Sequence, residues 1–148
     1  MHDHATYDYA VIRVVPKVER EEFVNAGVII SCPARGFLEA RIELDESRLI
    51  AIDPTLDVET IRAHLASIPI VCAGGEAAGP IGQLSQRERF RWLVSPRSTI
   101  IQTSPVHTGC CKDPAAVLER LLGTMVRPSR AESPAATTSL AGTSEHGA

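Results

Sequence analysis

The segment from Arg91 to Pro114, RWLVSPRSTIIQTSPVHTGCCKDP, concentrates side chains that bind anions, donate hydrogen bonds or titrate near neutral pH. Arginine forms planar, paired hydrogen bonds with carboxylate and phosphate groups, and serine, threonine and glutamine add neutral donors and acceptors. The sequence therefore predicts a recognition surface here. The predicted contact residues in this segment are Arg91, Arg97, Ser98, Gln102, His107 and Thr108.

His107, Cys110 and Cys111 form the set within this segment that could do covalent or metal chemistry. A thiol nucleophile needs a base within hydrogen-bond reach, and His107 could activate Cys110 in that way if a turn brings them together. A structural zinc site needs four ligands, and adjacent cysteines rarely reach one tetrahedral ion together. We therefore expect no metal and no cofactor, and we keep catalysis by His107 and Cys110 as the alternative to binding.

Arg13 is a second candidate binding residue, because it lies in the middle of an apolar strand. A buried arginine without a partner is costly, so Arg13 must face either a carboxylate or a ligand. The cluster at positions 19–22 offers Glu21 and Glu22, and pairing with one of them is the prediction. Asn25 and Gly27, at the start of the next strand, are expected to shape the same corner.

Hydrophobic alternation predicts three successive strands that would position these residues, at 7–15, 23–32 and 37–44. Short turns separate them, which favours an antiparallel meander. A short edge strand is predicted at 98–103, ended by Pro105.

Helical periodicity predicts helices at 57–68, 85–94 and 113–126. Ser85 with Glu88 reads as a capping box, and Asp113-Pro114 as an N-cap followed by proline at the first helical position. The fold class that follows is α+β: an antiparallel sheet of three or four strands with about three helices packed on one face.

Composition limits the partners and the compartment. The 148 residues carry 15 basic and 18 acidic side chains, a net charge of −3, which gives no overall attraction to nucleic acid or anionic membranes. No apolar run is long enough to span a membrane, and no leader pattern is found, so we expect a cytoplasmic protein with reduced cysteines. We predict one domain at 1–127 and a disordered tail, rich in Ala, Ser, Thr and Pro, at 128–148.

Two blocks of the sequence resemble a known family. YDYAVIRVVP followed by EREEFVNAGVII, and the later ERFRWLVSPRSTIIQTSPVHTG with its DP-initiated helix, are similar to the DUF3037 family of small bacterial proteins. The resemblance covers Tyr7 to Val126. It implies no established activity, but members are often encoded beside HipA-like kinases, which implies a role as partner or regulator of such a kinase.

The sequence thus favours a non-enzymatic binding or adaptor protein whose contact surface includes the segment 91–114. The alternative is a small enzyme that acts on a phosphorylated or acyl substrate with His107, Cys110 and the arginines. Few aromatic residues are available for base stacking, which disfavours nucleic-acid binding.

Overall fold

A meander of three antiparallel strands forms the centre of the sheet in the computed structural model, which describes residues 3–97 and 99–128. Strand β1 spans Ala5–Val14, β2 spans Val24–Cys32 and β3 spans Phe37–Ile42. β1 pairs with β2 and β2 pairs with β3, as the alternation predicted. A β-bulge at Ala26 shifts the register between β1 and β2, which turns the start of β2 away from its regular path.

Two short strands lie end to end along the free edge of β1. They are β4, Ile101–Thr103, and β5, His107–Cys111, and both pair antiparallel with β1. The order across the sheet is β3-β2-β1-β4, with β5 beside the other half of β1. The sheet therefore has five strands, one more than the upper end of the predicted range, because the polar strip 107–111 pairs as a strand.

Within the described residues, four α-helices accompany the sheet: α1 (Glu46–Ile52), α2 (Val58–Ala73), α3 (Gln86–Leu93) and α4 (Pro114–Leu121). A 3₁₀ segment, Glu76–Gln83, joins α2 to α3, and a π-helical turn, Leu122–Val126, extends α4. The predicted capping box is present, since Ser85 accepts from the Glu88 backbone and Glu88 accepts in return. Asp113 caps α4 as predicted, whereas α1 was not anticipated.

The sheet is covered on both faces, and each face has its own hydrophobic cluster. On the first face, Ile12 and Ile29 pack with Leu49 of α1, Leu65 of α2 and Phe90 of α3. On the second face, the side chains of β1 and β2 pack against α4 and the π-helical turn; this cluster includes Tyr7, Val28, Ile30, Leu118 and Leu122. The α+β class with an antiparallel sheet is confirmed, with three helices on one face and α4 on the other.

Ion pairs connect α4 and the turn after it to β3 and to Glu43, the residue that follows β3. Arg41 contacts Glu119 at 2.6 Å, and Arg127 donates to both carboxylate oxygens of Glu43 at 2.7 and 2.8 Å. The Arg127 guanidinium lowers the pKa of the Glu43 carboxyl below its ordinary value. Surface pairs of this kind contribute little individually, so burial of the α4 face is the larger stabilising term.

Two predictions from the sequence concern residues outside the part of the chain that the structure describes. Ser98 lies outside the described residues, and so does the predicted tail apart from Pro128.

Among the described residues, no single helix is long and apolar enough to cross a membrane. Helix α2 reaches that length and composition only together with the 3₁₀ segment, and the two are bent by 63° relative to each other.

Candidate functional site

The junction between β4 and β5 is held by Ser104, which is buried although its neighbours are accessible. Its backbone N–H donates to the Val11 carbonyl at 2.8 Å, and its hydroxyl oxygen accepts from the Val11 N–H at 2.9 Å. The side chain thus completes the ladder where Pro105 interrupts the strand. Because of these two hydrogen bonds, the junction between β4 and β5 stays paired with β1.

An open groove of about 390 Å³ lies between α2, the end of α3 and β4. We name it the Trp92 groove, after the tryptophan that is 42% exposed at its rim. The Arg97 guanidinium lies over the Trp92 ring, 4.6 Å from its centroid, and donates to the Trp92 carbonyl at 2.7 Å. The groove is lined by Ala63, His64, Ser67, Ile68, Trp92, Leu93, Arg97, Thr99, Ile101, Gln102 and Thr103.

A second cavity of about 300 Å³ lies on the opposite face of the sheet, and we name it the Arg13 cavity. Asn25, Arg13 and Gln102 form a row across β2, β1 and β4, because Arg13 is in register with both of the others. Asn25 donates to the Met125 carbonyl at 2.9 Å. The structure therefore places three of the predicted binding residues side by side, and two of them, Arg13 and Gln102, line the cavity. The position of Asn25 suggested its neighbourhood to Arg13 but not that of Gln102.

The predicted carboxylate partner of Arg13 is wrong. Its guanidinium lies over the Phe23 ring at 4.2 Å, and its Nε is buried without a hydrogen-bond partner among the described residues. Glu22 pairs instead with Arg20 at 2.6 Å, two residues away in the same turn. The Arg20–Glu22 ion pair and the cation–π contact of Arg13 with Phe23 thus take the place of the predicted pair between Arg13 and a carboxylate.

The remaining predicted contact residues lie apart from these two cavities. Arg91 lines a third cavity of about 270 Å³, together with Asp8. Thr108 donates to Asp8 at 2.6 Å, and the exposed His107 ring lies beside Tyr9, with ring centroids 5.2 Å apart. The predicted surface is therefore not continuous: Arg97 and Gln102 share the Trp92 groove, whereas Arg91, His107 and Thr108 do not line it.

Strand geometry separates His107 from Cys110. Both belong to β5, and residues three apart in a strand point to opposite faces of the sheet. Cys110 is exposed, whereas Cys111 is buried beside Cys32. The structure does not assemble the nucleophile and base of the enzymatic alternative, and within residues 3–97 and 99–128 no three His, Cys, Asp or Glu side chains are grouped to hold a metal ion.

Burial makes the other thiols poor nucleophiles. It raises the pKa of Cys72 to about 12 and also raises the pKa of Cys111. The thiolate is the reactive form, so these groups remain protonated as well as inaccessible at neutral pH.

We expect iodoacetamide at pH 8 to label Cys110 alone in the folded protein, because it is the exposed thiol. Mass spectrometry should show one adduct within minutes, and Cys110→Ser should remove it. The buried thiols should react only in denaturant. A second rapid adduct on Cys72 or Cys111 would show that a core cluster opens readily.

Sequence reasoning missed two residues of the Trp92 groove. His64 was not among the predicted contact residues, but it is exposed on α2 and lines the groove. Trp92 lies beside the buried face of α3, which Phe90 and Leu93 occupy. A large aromatic residue outside the apolar stripe of an amphipathic helix was the signal that could have found it.

The fold and cavities define a small α+β protein with an open groove beside a sheet edge. The model of the family described as "Protein of unknown function (DUF3037)" matches residues 9–126. The chain therefore belongs to the DUF3037 family, which confirms the resemblance. No curated protein matches the chain, and no solved structure does.

Proposed function

We propose that this chain is a non-enzymatic binding protein, an adaptor that holds a partner protein at the Trp92 groove. The observation that carries the proposal is the exposed Trp92 with Arg97 stacked on it at the rim of an open groove. Tryptophan and arginine are the residues that most often dominate binding energy at protein interfaces. The groove is lined by neither His107 nor any cysteine, which favours binding over catalysis.

A HipA-like kinase is the proposed partner, and the cytoplasm is the proposed compartment. The kinase is suggested by the family, whose members are often encoded beside such kinases, and this supports a role as its partner or regulator. The net charge of −3 supports a protein partner rather than nucleic acid or membrane. The enzymatic alternative has no comparable support, because His107 and Cys110 lie on opposite faces of β5.

Replacing both Trp92 and Arg97 with alanine should weaken capture of the HipA-like kinase proposed as the partner by about thirtyfold or more. That factor corresponds to about 2 kcal/mol, the loss typical of one interface hot spot. Both side chains lie at the surface, so the variant should keep the circular dichroism spectrum of the parent protein. Titration of the purified kinase by biolayer interferometry measures the affinity.

The matched control is the double variant Ile70→Ala with Arg120→Ala. It also removes one exposed apolar side chain and one exposed arginine, but from outside the groove. Capture should be unchanged in this control. Equal losses in both variants would contradict a specific groove contact, and normal capture by the Trp92 and Arg97 variant would refute the proposed function.

A further inference from the structure

The inner edge of β4 is satisfied by β1. The Val15 N–H donates to the Ile100 carbonyl at 2.6 Å, and the Ser104 N–H donates to the Val11 carbonyl at 2.8 Å. Because hydrogen-bonding residues alternate along an antiparallel strand, Gln102 also directs its main-chain groups toward β1. The two other residues of β4 must then face outward.

Ile101 and Thr103 are those outward-facing residues. The Ile101 carbonyl accepts the Thr99 hydroxyl at 2.8 Å. The N–H groups of Ile101 and Thr103, and the Thr103 carbonyl, have no hydrogen-bond partner in the part of the chain that the structure describes. This edge is a short template on which another strand can form main-chain hydrogen bonds.

A cavity lies on each side of that edge. The Trp92 groove is on the face of the sheet covered by α2 and α3, and the Arg13 cavity is on the opposite face. Gln102 lines both, so the two cavities meet at β4. Since side chains of an extended strand point alternately to opposite faces, one added strand would fill both cavities.

We propose that β4 receives an extended segment of the partner protein as an added β-strand, an inference that rests on the proposed function. Partner residues opposite Ile101 and Thr103 place their side chains on the face of the Trp92 groove. The apolar side chains in the wall of that groove, which include Ile68, Trp92 and Leu93, select an apolar side chain there. The partner residue between them, opposite Gln102, points into the Arg13 cavity, and it is acidic.

The charges of the Arg13 cavity support an acidic occupant. Arg13 makes no ion pair with any described residue and is held over Phe23, while Glu21 also lines the cavity and opposes an added negative charge. The added strand would lie two strand spacings from β1, about 10 Å. A glutamate on the added strand and the Arg13 side chain together span that distance better than an aspartate and Arg13 would. The partner segment should therefore have the pattern apolar–Glu–apolar.

The other edge of the sheet is the less suitable template. β3 carries Glu39 and Arg41, charged residues of the kind with which natural edge strands discourage pairing. β4 consists of Ile101, Gln102 and Thr103 and has no charge. The outward-facing main-chain groups and the two cavities therefore occur together at β4.

An array of blocked pentapeptides tests this proposal on the whole protein. Threonine occupies both ends, and the three central positions vary among apolar, acidic, amide and basic residues. Fluorescence anisotropy should rank leucine–glutamate–leucine above its glutamine counterpart by about tenfold. N-methylation of the two leucine amides, which face β4, should remove binding without changing any side chain.

Hydrogen exchange locates the peptide. With the preferred peptide bound, NMR should show slower exchange at the N–H groups of Ile101 and Thr103. Slower exchange at Leu38, Ala40 and Ile42 would instead place the peptide on β3 and overturn the proposal. Binding that leaves the exchange of both edges unchanged, or the absence of any binding peptide in the array, would overturn it as well.

Two substitutions test the acidic position with opposite expected signs. Arg13→Gln should abolish the preference for glutamate over glutamine, while binding of the glutamine peptide is kept. Glu21→Gln should tighten binding of the glutamate peptide severalfold, because a repelling charge is removed. A preference for glutamate that survives in Arg13→Gln would overturn the assignment of the acidic side chain to the Arg13 cavity.

Failure of this inference is distinguishable from failure of the proposed function. If the kinase is captured through Trp92 and Arg97 but neither peptide nor kinase slows exchange at the β4 amides, the adaptor role is supported and strand addition is refuted. Peptides that protect Ile101 and Thr103, with no kinase capture, leave strand addition and refute the proposed partner.

Discussion

Gly27→Ala is expected to lower the free energy of unfolding by about 3 kcal/mol, the scale of a severe steric conflict in a packed interior. A Cβ atom at this position would lie 2.5 Å from the Arg41 carbonyl oxygen and 3.0 Å from the Ile42 side chain. The oxygen belongs to the β3 backbone, so it cannot move without disturbing the pairing of β2 with β3. Urea unfolding followed by circular dichroism measures the change.

Gly123→Ala is the matched control for this experiment. A Cβ atom there would meet no heavy atom within 4 Å, and the residue is exposed in the π-helical turn. Alanine loses less conformational freedom on folding than glycine, so this variant should be neutral or slightly more stable. A Gly27→Ala protein as stable as the parent would show that the strands at the β-bulge have room to separate.

The meander and the caps could be predicted because their signals are local. Alternation of apolar residues identifies β1, β2 and β3, and turn residues between them fix their antiparallel order. The capping box at Ser85 and Glu88 likewise depends on residues three apart. Each of these signals lies within about ten residues, the range over which propensity and periodicity act.

β5 and α1 could not be predicted for the opposite reason. The 107–111 strip is too polar for a typical strand, and its pairing depends on β1, about a hundred residues earlier in the chain. α1 is a helix of only seven residues that is anchored by one buried side chain, Leu49. Pairing between distant segments, and a short helix held by one buried side chain, produce no clear periodicity in the local sequence.

The candidate site was predicted in part. Arg97 and His107 are exposed and Gln102 is partly exposed, so these predicted contact residues are accessible. The presence of Arg97 and Gln102 in the Trp92 groove, and of Arg13 and Gln102 in the Arg13 cavity, follows from which face each residue occupies. That division depends on strand register, which sequence alone did not give for β4 and β5.

The second layer of the fold had a signal in the sequence. Apolar residues on both faces of β1 and the β-branched run in β2 indicate strands buried on both sides, so a layer was needed on each face. α4 supplies the layer on the second face, where Tyr7, Val28 and Ile30 pack. Helices on one face alone would have left those residues exposed.

Leu118→Ala is expected to destabilise the protein by about 3 kcal/mol, as much as Leu65→Ala on the opposite face. Leu118 is 1% exposed in the cluster beneath α4, and Leu65 is fully buried in the cluster beneath α2. In each case alanine leaves a cavity that a close-packed interior fills only partially. Urea unfolding of both variants measures the two changes on the same scale.

Met125→Ala is the control on the same face, since Met125 is 40% exposed and its removal should change stability by less than about 1 kcal/mol. Equal and large losses for Leu118→Ala and Leu65→Ala would mean that neither face of the sheet can lose its helical cover. A loss near that of the Met125 control would instead show that α4 is a dispensable layer. In that case the second face of β1 and β2 would be free to receive a partner, and the binding surface would have to be sought there.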